Sequence, residues 1–179
     1  MKRCFSWNYL YNTSMEPDTK NKYEMIRKQY APERVRILFV GESRPRSDKF
    51  FYYENTFLYR YTKLAFQNAE INFSLEKFKE LGCWLYDVCE APVNGECVSK
   101  AKRKELIRAG LPKLDYIITQ LKPEFVIVPK KGAMRDLIFN FILQKGYIDG
   151  QNAFNLPFPN CGNQKKYQNQ LSTILKQIF

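Results

Sequence analysis

Arg36-Ile37-Leu38-Phe39-Val40, followed at once by Gly41-Glu42-Ser43-Arg44-Pro45-Arg46, is the stretch from which the rest of the chain can be read. Five residues, mostly apolar and bounded by Gly and Pro, fit a buried central strand better than a helix. The strand is expected over 36–40, with a tight turn at its carboxyl end. That turn carries a carboxylate, Glu42, and a hydroxyl, Ser43. In open α/β sheets ligands bind at this edge. An aromatic run, Phe50-Phe51-Tyr52-Tyr53, comes next. It reads as one wall of a nucleobase pocket.

Three further strands follow outward from this one. Trp84-Leu85-Tyr86-Asp87-Val88-Cys89 runs into a loop marked by Pro92 and Gly95. Phe125-Val126-Ile127-Val128 ends in Pro129-Lys130-Lys131-Gly132. Ala153-Phe154-Asn155-Leu156 ends in Pro157-Phe158-Pro159-Asn160-Cys161-Gly162-Asn163. Helical spacing separates them. Phe57, Leu58, Tyr61, Leu64 and Ala65 mark one helix, with Asn55 as its expected N-cap, and Ser74 opens a short one that ends at Gly82. Lys100 to Arg108 form a short basic helix. Gly110 is expected to interrupt it, with Pro112 opening the next. Met134 to Ile142 and Tyr167 to Ile178 complete the set.

Strands alternating with helices predict an α/β fold: a three-layer αβα domain around a central, mostly parallel four-stranded sheet. Right-handed crossovers then bring loops 41–53, 87–95, 129–132 and 157–163 to one edge. Residues 1–34, with a helix opening at Glu16-Pro17, are expected to cap a single unit spanning 35–179. The chain contains no internal repeat and no low-complexity segment.

Composition narrows the partners. The 179 residues include 29 Lys and Arg against 18 Asp and Glu, a net charge of +11, and 16% are aromatic. Such charge concerns partners rather than fold. Phosphates meet Lys and Arg while bases stack on aromatic rings, so the combination favours nucleic acid. The absence of histidine excludes His-dependent hydrolases and His-ligated zinc. None of the five cysteines forms a C-x-x-C pair, so no metal is expected. Met1-Lys2-Arg3 and Trp7-Asn8-Tyr9 lack a signal peptide's apolar stretch, and nothing approaches the ~18 apolar residues of a membrane span. A cytoplasmic protein with reduced thiols and no membrane partner is expected.

The order and content of the four loops resemble the uracil-DNA glycosylase superfamily, most nearly the branch whose first motif reads Gly-Glu-Ala-Pro-Gly. A bacterial group with Glu-Ser-Pro-Pro followed by Phe-Phe-Tyr is more similar still; the corresponding segments here are Gly41-Glu42-Ser43-Arg44-Pro45 and Phe50-Phe51-Tyr52. The similarity extends over most of 35–178. It implies that Glu42 positions water or stabilises a cationic sugar. A departing base anion also needs hydrogen-bond donors, for which Asn160, Asn163 and the turn's own N–H groups are the candidates. The similarity also implies that Ser43, Phe50, Phe51, Asp87 and Asn163 surround a flipped base. Arg44, Arg46, Lys130, Lys131, Lys165 and Lys166 would meet the nucleic-acid backbone, DNA being the expected form. Three departures stand out. Asp87 occupies the place of an Asn that reads the base's pairing edge; an ionised Asp only accepts hydrogen bonds, whereas Asn also donates. Pro129-Lys130-Lys131-Gly132 replaces a Leu-Gly segment. Phe158-Pro159-Asn160 replaces His-Pro-Ser. The four spaced cysteines of an iron–sulfur cluster are not present, so no cofactor is implied.

Three functions fit these residues. One is a DNA glycosylase acting on a flipped damaged or modified base. Another is a noncatalytic module binding nucleic acid or altered bases on the same fold. The third is an enzyme of free nucleosides or nucleotides, against which the +11 charge argues, since a small substrate needs no long basic track.

Overall fold

The computed structural model describes residues 17–45, 48–93, 98–129 and 136–179. Among the described residues six helices and four strands run in the order α1 (Pro17–Gln29), β1 (Ile37–Ser43), α2 (Phe57–Asn68), α3 (Leu75–Glu80), β2 (Cys83–Cys89), α4 (Lys100–Leu121), β3 (Phe125–Pro129), α5 (Asp136–Lys145), β4 (Ala153–Leu156) and α6 (Gln164–Ile178). A 3₁₀ turn spans Phe51–Tyr53. The strands form one sheet in the order β2-β1-β3-β4, and every pairing is parallel. This is the expected three-layer α/β fold.

β1 lies between β2 and β3 and is covered on both faces, which is why Ile37 to Val40 form an unbroken apolar run with no polar alternation. On one face Phe39 packs against Phe78 of α3, ring centroids 5.3 Å apart. In the same layer the buried hydroxyls of Thr62 on α2 and Tyr167 on α6 pair at 2.8 Å. The opposite face carries α4 and α5, joined by Asp115, which accepts from Lys145 at 3.0 Å and from the Tyr147 hydroxyl at 2.8 Å.

β2 is an edge strand, yet all seven of its residues are buried. An open edge invites pairing with another chain. Here Tyr52 closes it: its hydroxyl accepts from the Leu85 N–H at 2.8 Å and donates to the Leu85 carbonyl at 3.1 Å. The end of α1 reinforces the seal, because the Trp84 indole N–H donates to the Arg27 carbonyl at 3.3 Å.

Three expectations need correction. β1 does not stop at Val40; its ladder continues with Gly41 opposite Asp87 and Ser43 opposite Cys89, so Glu42 and Ser43 belong to the strand. Asn55 is not the cap of α2. The Thr56 hydroxyl accepts from the Tyr59 N–H, while the Asn55 side chain accepts from the Phe50 N–H at 2.9 Å and braces the preceding loop. The basic segment and its successor are one helix, α4, with Pro112 inside it. Proline there costs one intrahelical bond, to the Arg108 carbonyl, and Arg108 is exposed. The short α3 matches its expected start and stop: Ser74 accepts from the Lys77 N–H, and Gly82 follows with φ +72°.

Gly110 does not break α4 but lets it approach the sheet. A Cβ at this position would stand 2.4 Å from the Val88 carbonyl oxygen and 2.8 Å from Val88 Cγ1. In an exposed helix Gly→Ala gains about 1 kcal/mol. Here the sign reverses: Gly110→Ala is expected to destabilise by about 1–3 kcal/mol, the usual cost of overpacking. The midpoint of urea denaturation measures it. A midpoint at or above that of the parent would contradict this packing.

Candidate functional site

In the order β2-β1-β3-β4 the connections leave β1 in opposite directions, and the crevice beside its carboxyl end is the topological switch point. A cleft of about 310 Å³ opens there, at the small end of the range for ligand sites. All four strand ends contribute: Gly41, Glu42 and Ser43 at the end of β1 with Arg44 and Pro45 after it, Asp87 on β2, Pro129 on β3, and Phe158 and Asn160 after β4. Phe50, Phe51 and Thr56 form another wall, and Arg103 enters from α4.

Glu42 stands at the back, 4% exposed. One carboxylate oxygen, Oε1, accepts from both Nε and Nη2 of Arg103, at 2.6 and 2.5 Å. Alternation along β1 explains the partner: Glu42 shares a face with Val40, the face on which α4 packs. Arg103 sits in the first turn of α4, after Ser99 caps it by accepting from the Lys102 N–H. A guanidinium gripping a buried carboxylate fixes its position as well as its charge environment.

Asp87 is the second buried carboxylate, 8% exposed, and it occupies the other face. Its Oδ1 would lie 2.2 Å from a Cβ on Gly41, so the glycine's missing side chain is the space Asp87 uses. Its Oδ2 accepts from Arg27 of α1 at 3.2 Å. Arg27 also pairs with Glu24, and its guanidinium lies 5.4 Å from the Phe50 ring centroid and 5.7 Å from that of Tyr86. Each buried carboxylate of the cleft therefore has its own arginine.

The aromatic run divides its work. Tyr52 closes the sheet edge. Phe50 packs on Tyr23 at 5.1 Å, among the side chains of α1. Phe51, 3% exposed, meets Tyr59 at 5.6 Å and Phe78 at 5.4 Å. Both phenylalanines reach the cleft wall while most of each ring belongs to the core.

Of the other residues singled out in the sequence, Ser43, Arg44 and Asn160 line the cleft. The Ser43 hydroxyl accepts from the Val93 N–H at 3.2 Å and ties the β2 loop to β1. Arg44 lies over the Tyr23 ring at 4.3 Å. Asn160 is half-buried in the turn after β4, its N–H donating to the Phe158 carbonyl at 2.7 Å. Asn163 does not line this cleft; it stands at the N-cap position of α6, where its backbone carbonyl accepts from the Tyr167 N–H. Lys165 and Lys166 are exposed in the first turn of α6. Arg46, Lys130 and Lys131 lie outside the described residues. Arg27 stands outside every motif of the sequence, and Arg103 is one cation within the basic run of 100–108. Neither partnership has a local signal, because the paired residues are 60 and 61 positions apart.

Among the described residues no three His, Cys, Asp or Glu side chains come together to hold a metal ion, and no helix is long and apolar enough to cross a membrane. Burial, together with the negative charges of Glu42 and Asp87, pushes the Cys89 thiol up to about 12; burial also raises that of Cys83. Cys161 is exposed. At pH 8 a thiol with a pKa near 12 is roughly one part in 10,000 thiolate. Iodoacetamide at pH 8 is therefore expected to modify Cys161 in the folded protein and to reach Cys83 and Cys89 only after unfolding, as peptide mass spectrometry would show. Prompt labelling of Cys89 would contradict its placement against the two carboxylates.

No protein-family model matches this chain, and no curated protein is similar enough to count as a match.

Proposed function

We propose that this protein binds nucleic acid and draws one base, turned out of its strand, into the cleft, where the N-glycosidic bond is hydrolysed. One observation carries the reading: Glu42, Phe51 and Asn160, distant in sequence, line a single cleft at the switch point of a chain with a net charge of +11. The resemblance to the uracil-DNA glycosylase superfamily supports the same reading.

In the proposed reaction the bond between the base nitrogen and the sugar C1′ breaks and its electron pair leaves with the base. Positive charge develops on the sugar, as in other glycoside hydrolyses. Water adds to C1′ and loses a proton; the base takes up a proton and departs. Glu42, held by Arg103, places negative charge beside the cationic sugar. The Asn160 amide supplies a hydrogen bond to the base as its negative charge grows. Asp87 accepts a hydrogen bond from an N–H on the pairing edge of the base, a preference opposite to that of a donor. The lack of any histidine favours a second reading, in which the cleft holds an altered base without cleaving it.

Equilibrium binding to oligonucleotides over a salt series tests the shared premise. With about four phosphates neutralised, affinity is expected to fall about 100-fold between 50 and 200 mM salt. Binding that is insensitive to salt, or is seen only with free nucleosides, would favour an enzyme of small substrates instead. Appearance of alkali-labile abasic sites in oligonucleotides carrying different altered bases separates turnover from binding alone.

A further inference from the structure

A second hollow, of about 350 Å³, adjoins the cleft and shares Pro45, Thr56 and Phe158 with it. Its remaining wall includes Lys49, Phe57 and Arg60. Phe57 is 56% exposed, although it is the first residue of an otherwise well-packed helix. Phe57 and Arg60 are three residues apart on α2 and so share a face. Lys49 and Arg60 are both exposed. Glu54 also lines the hollow, its carboxylate accepting from the Tyr59 hydroxyl, so the lining carries two basic side chains against one acidic one. The loop beside it is braced by Asn55, which accepts from the Phe50 N–H and donates to the Asp48 carbonyl.

We propose that this hollow is a subsite for the nucleotide adjacent to the one in the cleft, with Phe57 as its stacking platform and Lys49 and Arg60 at the phosphate. The inference rests on the nucleic-acid reading above and adds to it a single-stranded, unstacked neighbour. Charge complementarity selects the occupant. An exposed ring flanked by two cations suits a ligand carrying both a flat π-face and a negative charge, which is how single strands are held without sequence preference. Continuity with the cleft supplies the register: a chain with one base in the cleft passes over Pro45 and Thr56 into the hollow.

Fluorescence anisotropy with labelled single-stranded dT8 tests the proposal. Phe57→Ala is expected to weaken dT8 binding about 5- to 150-fold, the range for losing one base–aromatic stack. Phe57→Trp should remain within about twofold of the parent, because it restores a stacking face. Arg60→Ala should reduce the salt slope by about one phosphate contact. Since Phe57 is exposed, the melting temperature of Phe57→Ala should match the parent. If the parent binds dT8 and Phe57→Ala binds equally well, the subsite is overturned while the nucleic-acid reading stands. If the parent binds neither dT8 nor duplex DNA, both fall. If sedimentation finds a dimer that Phe57→Ala converts to monomer with dT8 binding unchanged, a second copy of this chain occupies the face and the subsite is again overturned.

Discussion

Arg27→Met is expected to lower stability by about 3–5 kcal/mol, the cost of leaving a buried charge without its partner. Arg27 is 5% exposed, and Asp87, which it reaches across 60 residues of chain, is 8% exposed. The substitution keeps the apolar stem but removes the guanidinium that lies over Phe50 and Tyr86, so the loss reports on the charge pair together with those ring contacts. For a chain of this size each kcal/mol moves the melting temperature by about 2–4 °C, so a fall of about 6–20 °C is expected by circular dichroism. The double variant Arg27→Met/Asp87→Asn should recover much of the loss, because it removes the orphaned charge as well. A single variant within 1 kcal/mol of the parent, or a double variant no better than the single, would show that this pair does not hold α1 to the sheet.

Glu42→Gln carries the largest functional effect. The amide has nearly the same shape and can still accept from Arg103, but it removes the negative charge facing the proposed sugar cation. Turnover is expected to fall about 100- to 1,000-fold, the usual scale for losing one preorganised electrostatic contact. Affinity for the oligonucleotide should change by no more than a few-fold, since the proposed binding draws its affinity from phosphate contacts and Glu42 is an acceptor that makes none. Equal turnover in Glu42→Gln and the parent would remove Glu42 from the chemistry. Arg103→Met complements it. In the proposed reaction Arg103 acts through Glu42 as a positioning residue, so its loss should lower turnover in the parent and add little in the Glu42→Gln background.

The sheet was legible because its strands are apolar runs closed by Pro and Gly, and the convergence of their ends follows from parallel connection alone. What remained hidden depends on contacts between distant segments. Gly41 and Glu42 look like turn residues locally, yet pairing with Asp87 and Cys89 draws residues 41–43 into the ladder. Gly110 has the composition of a helix break, but its missing Cβ serves the close approach to Val88. Phe50 to Tyr53 read as a ligand wall. Their burial divides them between the core, the sealing of β2 and the edge of the cleft, a division that hydrophobicity cannot announce. The arginines of the site were hardest to find. In a chain with 29 basic residues, nothing local distinguishes the two that reach buried carboxylates.

A crystal structure of the protein bound to a short oligonucleotide decides whether the cleft takes a base. One base is expected out of its stack and inside the cleft, its edge against Asp87 and Asn160, with the sugar C1′ facing Glu42. An oligonucleotide bound on another face, with no base entering between Phe51 and Asn160, would contradict the proposed function.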